Sequence, residues 1–302
     1  MAGGASPQKA ILYALAANSG IAVAKTAAAM ATGSTSMVAE AIHSYADSGN
    51  QLLLLLGLHR SKRPPDREHP LGYGKVTYFW SFVVALLLFS IGGLFSLYEG
   101  WHKLHGAEPI QSLWIAVLVL LFSMALEVVS LRGCLAEVAR ERGGRSLWRW
   151  VNESRSAELV VVFGEDLAAL LGLSAALVFV VLAALTGNPV WDAAGSMVIG
   201  GLLVMIALFV AVRIKALLIG RSADPGIVAA IEREIQADPA ILELLNALTV
   251  QVGPQLMLAA KLRMSPDLSI DEACEAINNL EMHLKQSIPE IGWCFMEPDL
   301  RD

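Results

Sequence analysis

Four polar side chains recur on one face of a long apolar stretch near the start of the chain. Glu40, His43, Asp47 and Asn50 follow one another at steps of three, four and three residues. On an α-helix these steps place all four side chains in one stripe. A charged group inside a membrane is costly unless it faces protein, water or an ion. The stripe therefore predicts that these side chains have a partner.

His43 and Asp47 form the part of the stripe that is best suited to chemistry. Their spacing aims an imidazole and a carboxylate at one point, and both groups are common metal ligands. The structural alternative is a hydrogen bond between the two, which would tie the helix to itself. A second acidic pair, Glu165-Asp166, lies in another apolar stretch, VVVFGEDLAALLGL. Because a second buried acidic pair also needs a partner, we favour a divalent cation site that two helices share.

Two other charged groups in apolar stretches have different interpretations. Lys25 and Glu40 lie at matching depths on either side of a short turn at Gly33 and Ser34. We expect them to form a buried ion pair, which makes Glu40 a structural partner rather than a metal ligand. Glu127, in a fourth apolar stretch, is interpreted as either a proton carrier or a packing partner.

The elements that must position these groups are predicted to be membrane-spanning helices. Of the 302 residues, 55% are hydrophobic and 17% are charged, which is typical of membrane proteins. Roughly 20 apolar residues span a bilayer as a helix. Six stretches satisfy this length, and we interpret the first as a retained helix rather than a signal peptide. The six stretches are 10–32, 34–58, 76–101, 112–135, 157–186 and 190–216.

The composition changes after Gly220, where a small acidic domain is predicted. Residues 222–302 contain 14 acidic and 5 basic residues, so no basic footprint favours nucleic acid as a partner. Turn and capping signals predict the order helix, strand, strand, helix, strand, and hence a small α/β domain. The predicted elements are a helix from Asp224-Pro225 to about Ala237, strands at Leu248–Val252 and Met257–Met264, a helix capped by Ser269, and a strand at Ile291–Met296. We therefore divide the chain into a transmembrane domain, 1–220, and a C-terminal domain, 221–302.

The distribution of basic residues predicts the orientation in the membrane. Lys and Arg cluster in the loop at 58–75, in the loop at 132–155 and after the sixth stretch. The connections on the opposite side contain almost no basic residues. Positive residues mark the cytoplasmic side, so both termini are expected in the cytoplasm. We expect the membrane to be a bacterial plasma membrane. The three cysteines have no metal-ligand spacing and no disulfide pattern.

The chain resembles the cation diffusion facilitator family. The matching stretches cover nearly its whole length: HSYADSGNQ (43–51), HPLGYGKVTYFW (69–80), EDLAALLGL (165–173), WDAAGSMVIGGLL (191–203) and PEIGWCFMEPD (289–299). The resemblance implies an all-α, six-span transmembrane bundle with a small cytoplasmic α/β domain that is ferredoxin-like and metallochaperone-like. It also implies a homodimer that exports divalent metal ions in exchange for protons by alternating access.

The resemblance assigns the metal ligands by position, with one departure. His43 and Asp47 match the pair in the second span, and Asp166 matches the Asp of the fifth span. The usual His of the fifth span falls at Val162. The adjacent pair Glu165-Asp166 resembles the branch of the family that includes mitochondrial zinc-transporter-like members. The fourth ligand is then Glu165, Asn50 or a water molecule. One imidazole fewer favours Mn²⁺ or Fe²⁺, although the family favours Zn²⁺.

Three other functions remain to be distinguished from transport. An intramembrane metal-dependent enzyme would need a nucleophile or a zinc-bound water with a base, and the sequence contains neither HExxH nor GxSxG. A passive channel usually needs rings of like residues from several subunits. A non-transporting scaffold with a degenerate site is the third alternative. We expect no enzyme activity and no cofactor beyond the transported cation, with metal ions, protons and the lipid bilayer as partners.

Overall fold

The computed structural model describes residues 6–32, 35–105, 113–188 and 190–301, most of which are helical. The chain divides into two compact units. The first contains the chain up to Arg60 together with Thr77–Asn152 and Ser156–Lys215. The second contains Ser61–Val76, Glu153–Arg155 and the chain from Ala216 onward. The predicted turn at Gly33 and Ser34 lies outside the described residues.

Long apolar helices build the first unit. They are α1 (Pro7–Thr32), α2 (Thr35–Ser61), α3 (Val76–Leu87), a π-helical segment (Leu88–Leu94), α4 (Phe95–His105), α5 (Leu113–Arg142), a short α6 (Leu147–Glu153), α7 (Ala157–Thr186) and α8 (Val190–Ile219). The α3 helix, the π segment and α4 together form one continuous span, Val76–His105, which we call the third span.

Membrane-spanning character is clear for most of these helices. In the described part of the chain, five are long and apolar enough to cross a bilayer: α1, the third span, α5, α7 and α8. The α2 helix has the necessary length, 27 residues, but it is not among the five. Its polar stripe explains the difference, because Glu40, His43, Asp47 and Asn50 lower the hydropathy of a helix that otherwise fits the predicted second span.

The third span has a widened turn that the sequence did not predict. The Phe95 backbone N–H donates to the Ser90 carbonyl, a bond to the fifth preceding residue instead of the fourth. Such π turns are rare, occur mostly as single interruptions of α-helices, and are frequent at functional sites. Gly92, within this turn, lies close to the His43 ring, since a Cβ built there would come 3.9 Å from His43 Cε1.

Glycines let the third span and α8 approach each other closely. A Cβ on Gly93 would lie 3.0 Å from the Val204 nitrogen, and one on Gly100 would lie 2.8 Å from the Met197 nitrogen. From the other side, a Cβ on Gly200 would lie 2.7 Å from the Leu97 nitrogen. These are backbone atoms that cannot move aside, so a small residue is required at each point. Small residues at such contacts are typical of helix packing in membranes.

The second unit contains the predicted small α/β fold. Its elements are α9 (Pro225–Gln236), β1 (Ile241–Val252), β2 (Gln255–Met264), α10 (Ile270–Ser287) and β3 (Ile291–Pro298), which confirms the predicted order. The sheet has the order β1-β2-β3, with β1 and β2 antiparallel and β2 and β3 parallel. The predicted start of the first strand was wrong, because β1 begins at Ile241 rather than at Leu248.

An apolar core and two helix caps stabilise this fold. Alternate residues of β2, among them Leu258 and Leu262, are fully buried against apolar residues of the two helices. Asp224 caps α9, since its side chain accepts a hydrogen bond from the Gly226 nitrogen at 2.9 Å. Ser269 and Glu272 form a capping box at the start of α10, as the sequence predicted for Ser269.

A compact turn precedes the third span and belongs to the second unit. The Asp66 carboxylate accepts hydrogen bonds from the backbone nitrogens of Glu68 and His69, at 3.0 and 2.7 Å. It also accepts one from the Tyr73 hydroxyl at 2.6 Å. These bonds, that of Tyr73 first, hold the pKa of Asp66 below its usual value.

Candidate metal site

A cavity of about 180 Å³ lies inside the helical unit and collects most of the polar groups singled out above. Charged and ionisable side chains from five spans line it: Lys25, Glu40, His43, Asp47, Glu99, Lys103, Glu127, Glu165 and Asp166. Polar groups within a membrane bundle mark ion and substrate pathways. The cavity is therefore the place at which a cation site should be sought.

The α2 helix presents His43 and Asp47 to this cavity from successive turns. The His43 Nε2 atom lies 3.8 Å from Asp47 Oδ2, and the two side chains are 30% and 24% exposed. A distance of 3.8 Å is too long for a hydrogen bond. The structural alternative, a bond that ties the helix to itself, is thus not formed in this structure, and both groups remain directed at the cavity.

The α7 helix contributes Glu165 and Asp166, both almost fully buried. Neighbouring helices hold each carboxylate. Glu165 accepts from the Asn50 side chain at 3.3 Å and from the Gln51 side chain at 2.5 Å. Asp166 accepts from the Ser130 hydroxyl at 2.9 Å. Adjacent residues on one helix can therefore both face the cavity, because α2 fixes one of them and α5 fixes the other.

The predicted ligands share a cavity without forming a closed coordination sphere. Among the described residues, no three His, Cys, Asp or Glu side chains lie close enough together to hold a metal ion. Metal–ligand distances are roughly 2.0–2.2 Å for nitrogen and oxygen. The ligand set His43, Asp47, Asp166, Glu165 and Asn50 therefore stays a prediction, and binding would require the side chains to move toward one another across the cavity.

The predicted ion pair between the first two helices is present. Lys25 Nζ lies 3.0 Å from Glu40 Oε2. The Lys25 side chain is 9% exposed, but that of Glu40 is 49% exposed, so the pair is less buried than the sequence suggested. Its existence agrees with a structural role for Glu40.

A second ion-pair group lies at the end of the third span. Lys103 Nζ lies 3.1 Å from Glu99 Oε1 and 3.2 Å from Asp192 Oδ2. Asp192 lies in the first turn of α8, where an acidic side chain suits the helix N-terminus. The ion pair adds a link between α4 and α8, and Glu99 and Lys103 also line the cavity.

Residues 11–219 match the family described as the cation efflux transmembrane domain. The match covers all the helices that line the cavity. The chain belongs to the cation diffusion facilitator family. Members of this family are transporters and not enzymes, so the enzyme considered from the sequence is excluded.

Several named relatives of this cation diffusion facilitator are known. The mitochondrial proton-coupled zinc antiporter SLC30A9 of Xenopus laevis is 34% identical over 267 residues, which is 88% of this chain and 47% of that protein. Metal tolerance protein C4 of Arabidopsis thaliana is 32% identical over 220 residues, 72% of this chain and 48% of that protein. Magnetosome protein MamM of Paramagnetospirillum magneticum is 31% identical over 107 residues, 34% of each chain. The chain spans about half the length of the first two relatives.

Two side chains that position the acidic pair in this cation diffusion facilitator were not singled out from the sequence. Gln51 is fully buried and holds Glu165, and Ser130 is 1% exposed and holds Asp166. Each lies one helical turn after a polar residue that the sequence pattern did identify. Gln51 follows Asp47 by four residues, and Ser130 follows Glu127 by three. Extending each polar stripe by one turn would have found them.

In this cation diffusion facilitator, an apolar residue stands at the position where the fifth span of the family usually has a histidine. Val162 is fully buried and precedes Asp166 by one helical turn. It offers no lone pair to a cation. A complete site therefore needs a ligand from another position.

Proposed function

We propose that this protein exports a divalent metal cation in exchange for protons, with Zn²⁺ as the first expected cargo and Mn²⁺ or Fe²⁺ as alternatives. One observation carries the proposal. In a member of the cation diffusion facilitator family, His43 and Asp47 of α2 and the Glu165-Asp166 pair of α7 line a single cavity inside the helical unit. An imidazole and three carboxylates are a ligand set that suits a divalent cation.

The coupling to protons follows from the chemistry of these ligands. A histidine binds metal through its neutral ring and an acidic residue binds through its carboxylate, so both must lose a proton before they bind. Metal and protons therefore compete for the same groups. A bundle that exposes the cavity alternately to the two sides of the membrane would release metal where protons are abundant. The relatives named as proton-coupled zinc antiporters support this coupling.

The orientation and the oligomeric state are part of the proposal. The basic loops support cytoplasmic termini, and we expect the plasma membrane of a bacterium as the location. We also propose a homodimer in which the acidic C-terminal fold contributes to the interface. A full-length protein that stays monomeric both in detergent and in lipid would contradict the dimer.

The decisive experiment is metal flux into proteoliposomes. Purified full-length protein is reconstituted, and uptake of Zn²⁺, Mn²⁺, Fe²⁺, Co²⁺ and Cd²⁺ is followed with and without a pH gradient. We expect saturable uptake that the gradient accelerates, together with metal-driven proton movement. Asp47→Asn and Asp166→Asn should abolish uptake, whereas Glu297→Gln, on β3 of the second unit, should leave it unchanged.

The same experiment separates transport from its rivals. Uptake that rises linearly with metal concentration and does not depend on the pH gradient would indicate a passive channel. No uptake of any of the five metals, with the protein folded and inserted, would indicate a scaffold that does not transport. Either result would overturn the proposal.

A further inference from the structure

A buried carboxylate on α5 faces the cavity and takes no part in the site described so far. Glu127 is 3% exposed and lines the same cavity as His43, Asp47, Glu165 and Asp166. Within the described ranges of the chain, no side chain or backbone group forms a hydrogen bond to the Glu127 carboxylate. Its carboxylate oxygens are not fully enclosed by protein atoms but open onto the cavity. A polar group that the protein leaves unsatisfied at such a place calls for a ligand or a water molecule.

The other buried carboxylates nearby each have a partner. Glu165 is held by two side-chain amides, and Asp166 is held by the Ser130 hydroxyl. Glu137, further along α5, accepts from the Ser6 backbone nitrogen and from Arg140. Leaving a buried carboxylate without a partner is costly. Among the described residues, Glu127 therefore shares with Asp47 a carboxylate that lines the cavity and accepts no hydrogen bond.

Glu127 also lies among like charges. Asp47 and Asp166 line the same cavity as the Glu127 carboxylate, and Lys25 is the cation among these lining groups on the first two helices. Three carboxylates from α2, α5 and α7 that share one cavity repel each other while they are ionised. A divalent cation among them would turn that repulsion into attraction. Ser130, one turn from Glu127 on the same helix, already fixes Asp166, so α5 is placed to bring both carboxylates to a common ion.

We propose that Glu127 is a direct ligand of the transported divalent cation and supplies the donor that Val162 cannot. The inference rests on the proposed function and deepens it, because it adds a ligand from the fourth apolar stretch to those from α2 and α7. A site of His43, Asp47, Asp166 and Glu127 holds one imidazole and three carboxylates, and Glu165, which two amides of α2 hold, adds a further negative charge at the cavity. Such a site is harder than one with two imidazoles and accepts Mn²⁺ more readily.

The first test measures metal affinity rather than transport. Zn²⁺ and Mn²⁺ binding to the purified full-length protein in detergent is followed by isothermal titration calorimetry. Glu127→Gln keeps the shape of the side chain but removes its charge, and we expect affinity for both metals to fall by about tenfold or more. Ser123→Ala is the matched control. Ser123 is a buried polar residue one turn earlier on α5 that does not line the cavity, and we expect its variant to bind as the wild type does.

The second test asks whether position 127 touches the ion. In Glu127→Cys, X-ray absorption of bound Zn²⁺ should show a zinc–sulfur distance of about 2.3 Å. The wild type sets the baseline for Cys134, Cys274 and Cys294, and Ser123→Cys controls for a thiol elsewhere on α5. We expect added sulfur in Glu127→Cys and none in the control.

The outcomes distinguish the ligand from the transport function. Unchanged affinity in Glu127→Gln, or no added sulfur in Glu127→Cys, would overturn the ligand proposal. Normal affinity with lost proton coupling would overturn it in favour of a proton carrier. If the wild type binds metal through Glu127 but moves none into vesicles, the proposed function fails and the ligand stands.

Discussion

Lys25 of α1 and Glu40 of α2, which both line the cavity, form an ion pair of 3.0 Å. Removing either partner leaves the other charge in or near the membrane without compensation, while removing both leaves none. We expect Lys25→Met and Glu40→Gln each to lower the free energy of unfolding. The double variant should lose less than the sum, with a coupling free energy of about 0.5–3 kcal/mol.

The coupling is measured by chemical unfolding, in detergent, of the wild type, the two single variants and the double variant. Lys285 and Glu281 provide a matched control pair, because they are 2.6 Å apart on one helix, α10, and are partly exposed. Their coupling should be about 0.3–0.5 kcal/mol. Strict additivity for Lys25 and Glu40 would mean that the pair contributes nothing to stability.

Two adjacent glycines of α8 should respond oppositely to alanine. A Cβ on Gly200 would meet the Leu97 nitrogen at 2.7 Å, whereas a Cβ on Gly201 would have no neighbour within 4 Å. Gly200→Ala forces α8 away from the third span, and we expect a loss of about 1–3 kcal/mol. Gly201→Ala only improves helix propensity, worth up to about 1 kcal/mol. Thermal unfolding midpoints should fall for the first and hold or rise for the second. Equal midpoints would contradict the close approach.

A histidine at position 162 should change the metal preference. Val162→His puts a second imidazole one turn before Asp166, and imidazole favours Zn²⁺ over Mn²⁺. We expect the Zn²⁺/Mn²⁺ affinity ratio to rise by about tenfold, or about 1.4 kcal/mol. Val161→His is the control, since Val161 is equally buried but points about 100° away. Competition binding checks both variants, and the same shift in each would exclude a ligand effect.

Neutralising Glu165 should slow metal flux. Its carboxylate faces the cavity between two amides of α2, so Glu165→Gln removes a charge from the site and disturbs those hydrogen bonds. We expect uptake into vesicles to fall by about tenfold or more. Glu158→Gln, at another buried glutamate of α7, is the control and should transport normally. Full activity in Glu165→Gln would assign this residue to packing alone.

The turn that contains Asp66 predicts a pH effect. The Tyr73 hydroxyl lowers the pKa of Asp66, so the carboxylate stabilises the folded turn above the pKa of the unfolded chain. That stabilisation is lost as the pH falls through the lowered pKa of the folded state. Tyr73→Phe should raise the pKa of Asp66 toward its usual value, as measured by NMR titration with ¹³C-labelled aspartate. Tyr98→Phe, which alters a tyrosine on α4, should leave it unchanged.

The sequence predicted the elements whose signals are local. The length of the apolar stretches predicted the helices of the first unit. Capping residues such as Asp224 and Ser269 predicted where the helices of the second unit begin. The ion pair of Lys25 and Glu40 was predictable because a short turn fixes the relative depth of two neighbouring helices. In each case, a few residues close in sequence determine the outcome.

The sequence did not predict features that depend on distant partners or irregular backbone. The start of β1 was missed because irregularities between Ile241 and Glu243 and between Leu244 and Asn246 disturb the alternation of apolar and polar residues. The Gln51–Glu165 contact joins residues 114 positions apart, and a single sequence does not reveal which helices are neighbours. The link between Lys103 and Asp192 was missed for the same reason.

The π turn at Leu88–Leu94 sets the rotational phase of everything that follows it in the third span. A turn closed by a bond to the fifth preceding residue holds one more residue than an α-helical turn. If the same residues were wound as a regular α-helix, the remaining helix would be rotated by about 100°. Glu99 and Lys103 would then leave the cavity, and Gly100 would no longer face α8. The additional residue held in this turn thus decides which face of α4 points inward, and deleting Ile91, which removes that residue and closes the turn to a regular α-helix, should leave the inward face of α4 unchanged.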